Sequence, residues 1–170
     1  MTLDQLNALP VGQARDALAR CCGASAWVER MVARRPFVNL DHLLGIAHAF
    51  WMGLGRDGWR EAFGHHPRIG DLESLRRRFA GTADLASREQ AAVAAGSRVV
   101  LEALAEGNRA YEERFGYIFI VFASGRTADE MLDLLKRRLG NDPEAELGIA
   151  AKEQWKIMRL RLDTMLGGPR

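Results

Sequence analysis

Along most of the chain, apolar residues recur every three or four positions, the period of a helix with one buried face. Thr2 is placed to cap a first helix over Leu3, Leu6 and Leu9, which Pro10 ends. A second helix is predicted from about Val11 to Cys22, with Gly23 as its stop. A third starts with Ser25 as cap, runs through Trp27, Val28 and Met31, and ends before Pro36. The broadest apolar pattern, Leu40, Leu43, Leu44, Ala47, Phe50, Trp51 and Leu54, marks a central helix. Trp59 and Phe63, four apart, belong to a short helix that ends near Gly64-His65-His66-Pro67, and Asp71 is a cap for the next, through Leu75 and Phe79. Ser87 to Gln90 reads S-R-E-Q, the form of a capping box, and opens a long helix through Val93, Val99, Val100 and Leu104. Residues 108–115 are predicted helical as well. Thr127 to Glu130 is a second box, before Met131, Leu134 and Leu135. Asp142 then Pro143 reads as cap and first helical residue. The last helix extends to about Leu166, with Leu147, Ala151, Trp155, Met158 and Leu162 on one side.

One stretch breaks the period. Phe115 to Ala123, FGYIFIVFA, is continuously apolar, aromatic and β-branched. Periodicity does not separate a buried strand from a buried helix here, but no second strand is available to pair with it. The pattern therefore predicts an all-α, single-domain multi-helix bundle over residues 1–170, with this stretch as a buried extended or helical segment.

Composition removes several function classes. The 170 residues suit one domain with a substantial core. Lys plus Arg is 24 and Asp plus Glu is 22, so the net charge of +2 lacks the basic excess of a nucleic-acid binder. The runs Arg76-Arg77-Arg78 and Lys136-Arg137-Arg138 read as solvated helix faces or helix C-termini. Cys21 and Cys22 are adjacent, without metal-type spacing or a disulfide framework, and read as free, partly buried thiols. The first residues, MTLDQLNALP, lack the regions of a signal peptide. No apolar run approaches the roughly 20 residues of a membrane span. A cytoplasmic protein without membrane partners is expected.

Candidate chemistry centres on His65 and His66. As a metal pair they are weak, because adjacent helical side chains diverge by about 100°; His42 and His48, six apart, fit helical ligand spacing no better. There is no G-x-S-x-G elbow, no G-x-G-x-x-G and no P-loop. Acid–base chemistry remains. A residue before proline is pushed toward extended backbone, so His66 stands at a helix-to-turn junction, either as a general acid or base or as a helix-end histidine satisfied by the last carbonyls. Ser87 to Gln90 is either a plain helix start or a polar cluster at an anion-favouring N-terminus. Arg159 and Arg161 point to different faces of the last helix. The one that turns inward needs a partner, which a substrate carboxylate could supply through a bidentate contact.

The order H-P-R-I-G from His66, S-R-E-Q from Ser87, E-R-F-G-Y-x-F-I from Glu113, and K-I-x-x-L-R-L from Lys156 resembles the OHCU decarboxylases. OHCU is 2-oxo-4-hydroxy-4-carboxy-5-ureidoimidazoline, an intermediate of urate breakdown. Arg35-Pro36-Phe37 and the helix carrying Trp27 fit the same pattern, so the resemblance covers essentially the whole chain. It implies the all-α fold of that family, a homodimer, OHCU as the small-molecule substrate, and neither cofactor nor metal.

By position, the resemblance gives His66, Glu89 and Arg161 as the catalytic set. It gives Pro67, Ala86, Ser87, Arg88, Glu89, Gln90, Phe119, Ile120, Val121, Phe122 and Ala123 as substrate contacts, with backbone amides of Phe119 to Ala123 on the ureido and ring oxygens. Two positions depart from the pattern. Ala86 stands where the family often has serine, and Ile118 stands where it has proline. With His66 and Glu89 in contact, the histidine pKa would rise and that of the glutamate fall. The competing expectations are a related lyase or hydrolase acting on another ureido-imidazoline or purine-derived ring, and a non-catalytic helical interaction domain.

Overall fold

The computed structural model describes residues 1–66 and 89–167, and of residues 89–97 the backbone alone. Among the described residues there are eight helices and no strand: α1 Leu3–Ala8, α2 Val11–Ala19, α3 Ser25–Ala33, α4 Leu40–Met52, α5 Gly55–Gly64, α6 Glu89–Phe115, α7 Ala128–Leu139 and α8 Pro143–Met165. None of them is long and apolar enough to cross a membrane. The helix predicted from Asp71, and its basic run at Arg76, lie outside the described residues. The chain divides into two compact units.

The first unit contains residues 1–66, Ile120–Phe122 and the chain from Leu147 onward. Its helices start where the sequence places caps. Thr2 and Gln5 form a full capping box on α1. Asn39 accepts the His42 amide at 2.8 Å to open α4. Ser25 departs from expectation, since it is the first residue of α3 and not its cap. Its amide donates at 3.0 Å to the Glu61 carboxylate of α5, so a distant side chain does the capping. The second helix also stops short, at Ala19, and leaves Cys21 and Cys22 buried in the turn that follows.

Three indoles fix the core of this unit. A buried Trp N–H requires an acceptor, and each finds a helix carbonyl at 2.9 Å. Trp27 donates to Ala47, Trp51 to Ala151 and Trp59 to Trp51. Leu43, Ala47 and Trp51 recur every fourth residue on the buried face of α4. From α8 come Leu147, Ala151, Met158 and Leu162, all buried. Trp155 sits at the edge of that face, where it packs on His48 with ring centroids 4.8 Å apart.

The second unit contains residues 67–119 and 123–146. Residues 108–115 continue the long helix unbroken, so that α6 spans 27 residues. Gly116, at φ 75°, turns the chain out of it, a conformation that costs glycine little. The Thr127–Glu130 capping box opens α7 as predicted. Close approach of α6 and α7 depends on Gly107, where a methyl would stand 2.6 Å from Leu135 Cδ2.

The basic run on α7 is not wholly solvated. Arg138 is only 6% exposed and meets the fully buried Glu146 at 2.6 Å. Tyr111 donates its hydroxyl to the same carboxylate, and burial, with that bond, pushes its phenol pKa up. The Arg138 guanidinium lies over the Phe119 ring, 4.7 Å from its centroid. Phe119 in turn packs edge-on against Tyr111, at 5.1 Å. The aromatic start of the irregular stretch is thus held by a buried ion pair, and the stretch itself is irregular backbone with Tyr117 and Ile120 buried.

Candidate functional site

Two of the sequence-predicted residues meet within the first unit. Helix α5 ends at Gly64, His65 is its C-cap, and the His66 amide donates to the Phe63 carbonyl at 3.2 Å. His66 is a bend residue beyond the end of the helix. Arg161 comes from the inner side of α8. Both line a cleft of about 410 Å³ with Ala19, Arg20, Gly23, Ala62 and His65.

The arginine pair on α8 resolves as its spacing required. Arg159 is solvent-facing, with Asp163 4.0 Å away. Arg161 is turned inward, and its Nη1 donates to the Cys21 carbonyl at 3.3 Å. One neutral acceptor leaves most of the guanidinium's five donors for a ligand in the cleft.

His66 is not a helix-end histidine satisfied by carbonyls. Its Nε2 is buried and has no hydrogen-bond partner among the described residues. Burial lowers the pKa of the ring and the Arg161 charge lowers it further; Gln154 opposes them, and His65 adds the least, also downward. The imidazole is therefore neutral at physiological pH, with a lone pair available. This direction is opposite to the rise expected from a carboxylate contact. The described surroundings of the ring supply burial and a cation; the Glu89 side chain lies outside the described residues.

The remaining predicted positions divide into two groups. Pro67, Ala86, Ser87 and Arg88 lie outside the described residues. Glu89 and Gln90 begin α6, and their side chains are also outside. In the 119–123 stretch, the Phe122 amide expected to hold substrate already donates to the Glu153 carboxylate at 2.8 Å.

Cys21 touches the site only through the carbonyl that accepts from Arg161, and neither Cys21 nor Cys22 lines the cleft. Burial pushes their thiols up, to about 11 and about 12, so almost no thiolate exists at neutral pH. Among the described residues no three His, Cys, Asp or Glu side chains gather to hold a metal ion.

Sequence reasoning passed over two contributors. Gly23, read only as a helix stop, gives room to His65. Gln154 is fully buried beside His66; its signal was a polar residue three after Ala151 and four before Met158, inside the apolar stripe of α8.

Comparison with known proteins points one way. Residues 7–163 match the family model described as OHCU decarboxylase. The chain is 38% identical over 157 residues to a uric acid degradation bifunctional protein of Arabidopsis thaliana, covering 91% of this chain and 47% of that protein. It therefore spans about half of that relative's length. It is 28% identical to a 2-oxo-4-hydroxy-4-carboxy-5-ureidoimidazoline decarboxylase of Haloferax volcanii, over 95% of this chain and 94% of the other. Its fold superposes with a TM-score of 0.71 on a crystal structure of OHCU decarboxylase in the presence of (S)-allantoin, at 36% identity, covering 89% of this chain and 97% of that one.

Proposed function

The chain belongs to the OHCU decarboxylase family, and from that membership we propose that it decarboxylates OHCU to (S)-allantoin in urate degradation, as a carbon–carbon lyase. The observation that carries the reading to this chain is the cleft lined by both an imidazole whose Nε2 is buried and unpartnered and an inward-turned arginine. That pairing supplies a proton-transfer group and an anion anchor, which a plain interaction domain has no reason to bury.

The chemistry needs no more from the protein than this kind of equipment. The carbon that bears the carboxyl and hydroxyl groups of OHCU adjoins a ring C=N bond. When the bond to CO2 breaks, its electron pair forms a carbon–carbon double bond with the imine carbon, and the imine nitrogen takes up a proton. The resulting enol loses its hydroxyl proton as a new proton reaches the former imine carbon from one side. This final delivery sets the configuration of allantoin. Arg161 holds the anionic end of the substrate through charge-assisted hydrogen bonds. His66, neutral before the reaction, accepts and returns a proton within hydrogen-bond reach of the ring. Glu89 is assigned the second proton transfer on the strength of the sequence resemblance, as are the substrate contacts of Pro67, Ala86 to Gln90 and Phe119 to Ala123. On the same basis the protein works as a cytoplasmic homodimer without a cofactor.

Freshly prepared OHCU followed by circular dichroism tests the proposal. Dextro- and levorotatory signals distinguish the outcomes: accumulation of (S)-allantoin faster than the spontaneous reaction is expected. Racemic allantoin formed at the uncatalysed rate overturns it.

A further inference from the structure

Gln154 occupies a position that the periodicity of α8 assigns to the core. It is fully buried, and neither the oxygen nor the nitrogen of its carboxamide has a hydrogen-bond partner among the described residues. Burying an amide in that condition leaves its desolvation uncompensated, and a leucine or methionine would fill the same space without that cost. Packing alone does not account for it.

The neighbouring group is His66. Its Nε2 is likewise buried and unpartnered. Gln154 stands near enough to favour the charged form of the ring, although the two side chains do not meet the geometry of a formed hydrogen bond. Seven residues further along α8, two helical turns, Arg161 comes from the same face and lines the cleft with His66.

We propose that Gln154 is the positioning residue for His66, holding the imidazole in one orientation through both of its protonation states. The proposal rests on the reading of His66 as a proton-transfer group. A group that gains and loses a proton presents a lone pair in one state and an N–H in the other. A carboxylate can only accept, so it traps the imidazolium. An amide offers either function, its NH2 to the lone pair or, after turning about its last torsion, its oxygen to the N–H. The other polar side chains that line the cleft cannot do this. Arg161 of α8 and Arg20 at the end of α2 are obligate donors, and His65, on the same turn, opposes protonation by its own charge.

The wild-type protein provides the first test. In ¹⁵N-resolved NMR spectra, the side-chain NH2 resonances of Gln154 shift in step with the titration of the His66 ring. Two variants then separate positioning from packing. Gln154→Met lowers the His66 pKa further and reduces kcat about tenfold, the net worth of one hydrogen bond, with KM little changed. Gln154→Glu raises the His66 pKa and moves the acid limb of the rate profile to higher pH. Gln154 resonances that stay fixed through the His66 titration overturn the proposal, as do folded variants with unaltered His66 titration and kcat. If the resonances move together in a protein that does not turn over OHCU, the decarboxylase reading fails and the positioning stands. Turnover with fixed resonances removes the positioning alone.

Discussion

Gly23 lies directly against His65: a methyl group on its α-carbon would stand 2.4 Å from the imidazole Cγ and 2.5 Å from Cβ. Rotating the imidazole does not relieve this, because the position of Cβ is set by the backbone. Gly23→Ala therefore forces apart the turn after α2 and the end of α5, the two segments that frame the cleft. Such overpacking costs about 1–3 kcal/mol, and because His66 follows directly, activity falls along with stability. Urea unfolding and steady-state rates on OHCU check both. Wild-type values for each would show that the contact yields freely.

The depressed pKa of His66 sets the direction of two pH effects. An ordinary histidine titrates near 6.5, and burial and Arg161 move the folded-state value below that. Activity that depends on the neutral ring then holds as pH falls through 6.5 and declines only below it. Stability follows the same sign. The unfolded chain takes up the proton at the ordinary pKa while the folded chain resists it, so stability is full above 6.5 and is lost as pH falls through the folded value. Removing the cation by Arg161→Met raises the His66 pKa and shifts the acid limb upward in pH, together with a higher KM from the lost anchor. Histidine NMR titration of the two proteins measures the shift. An unchanged His66 pKa in the variant would mean that burial alone depresses it.

The adjacent histidines differ in role although they differ in sequence by nothing but order. Both line the cleft, but His66 has a buried, unpartnered ring nitrogen, whereas His65 is a helix C-cap packed on Gly23. If His66 is the proton-transfer group proposed above, His66→Ala costs about 10²–10⁴ in kcat, the usual contribution of general acid–base catalysis. His65→Ala removes contact and a nearby charge, and its effect is expected to be less than tenfold by comparison with the loss of one weak interaction. Glu89→Gln is expected to resemble His66→Ala. Loss of turnover in His65→Ala with His66→Ala fully active reverses the assignment.

What could be read from the sequence was local, and what escaped it was distant. The Thr2 cap and the Thr127 capping box each need only four consecutive residues, and both formed. Helix geometry put Arg159 and Arg161 on different faces, but only the family resemblance singled out Arg161. Ser25 was misassigned because its amide is capped from α5, 36 residues away. The solvated reading of Lys136-Arg137-Arg138 failed at its last member because Glu146, which neutralises it, follows only after the chain has turned into α8. The direction of the His66 pKa depends on burial and on a charge from the far end of the chain, and no local motif encodes either. Gln154 is intermediate: the polar interruption of an apolar stripe was visible, but its meaning required the position of His66.

The Arg138–Glu146 pair makes a prediction about stability in the second unit. Glu146 is fully buried and receives Arg138 at 2.6 Å, the Tyr111 hydroxyl, and Asn141 Nδ2 at 2.7 Å. Glu146→Ala leaves a buried guanidinium without this carboxylate and two neutral donors without their acceptor. Breaking a buried pair from one side costs about 3–5 kcal/mol. Replacing both partners, Arg138→Met with Glu146→Leu, removes the charges together and is expected to recover much of that loss. Arg138 also covers the Phe119 ring, so the double variant keeps stability better than it keeps the order of the 115–119 segment. Urea midpoints compare the stabilities, and the near-ultraviolet circular dichroism of Tyr111, Phe115, Tyr117 and Phe119 reports the segment. A single variant within about 1 kcal/mol of wild type, the range of a surface ion pair, would mean that water reaches this carboxylate.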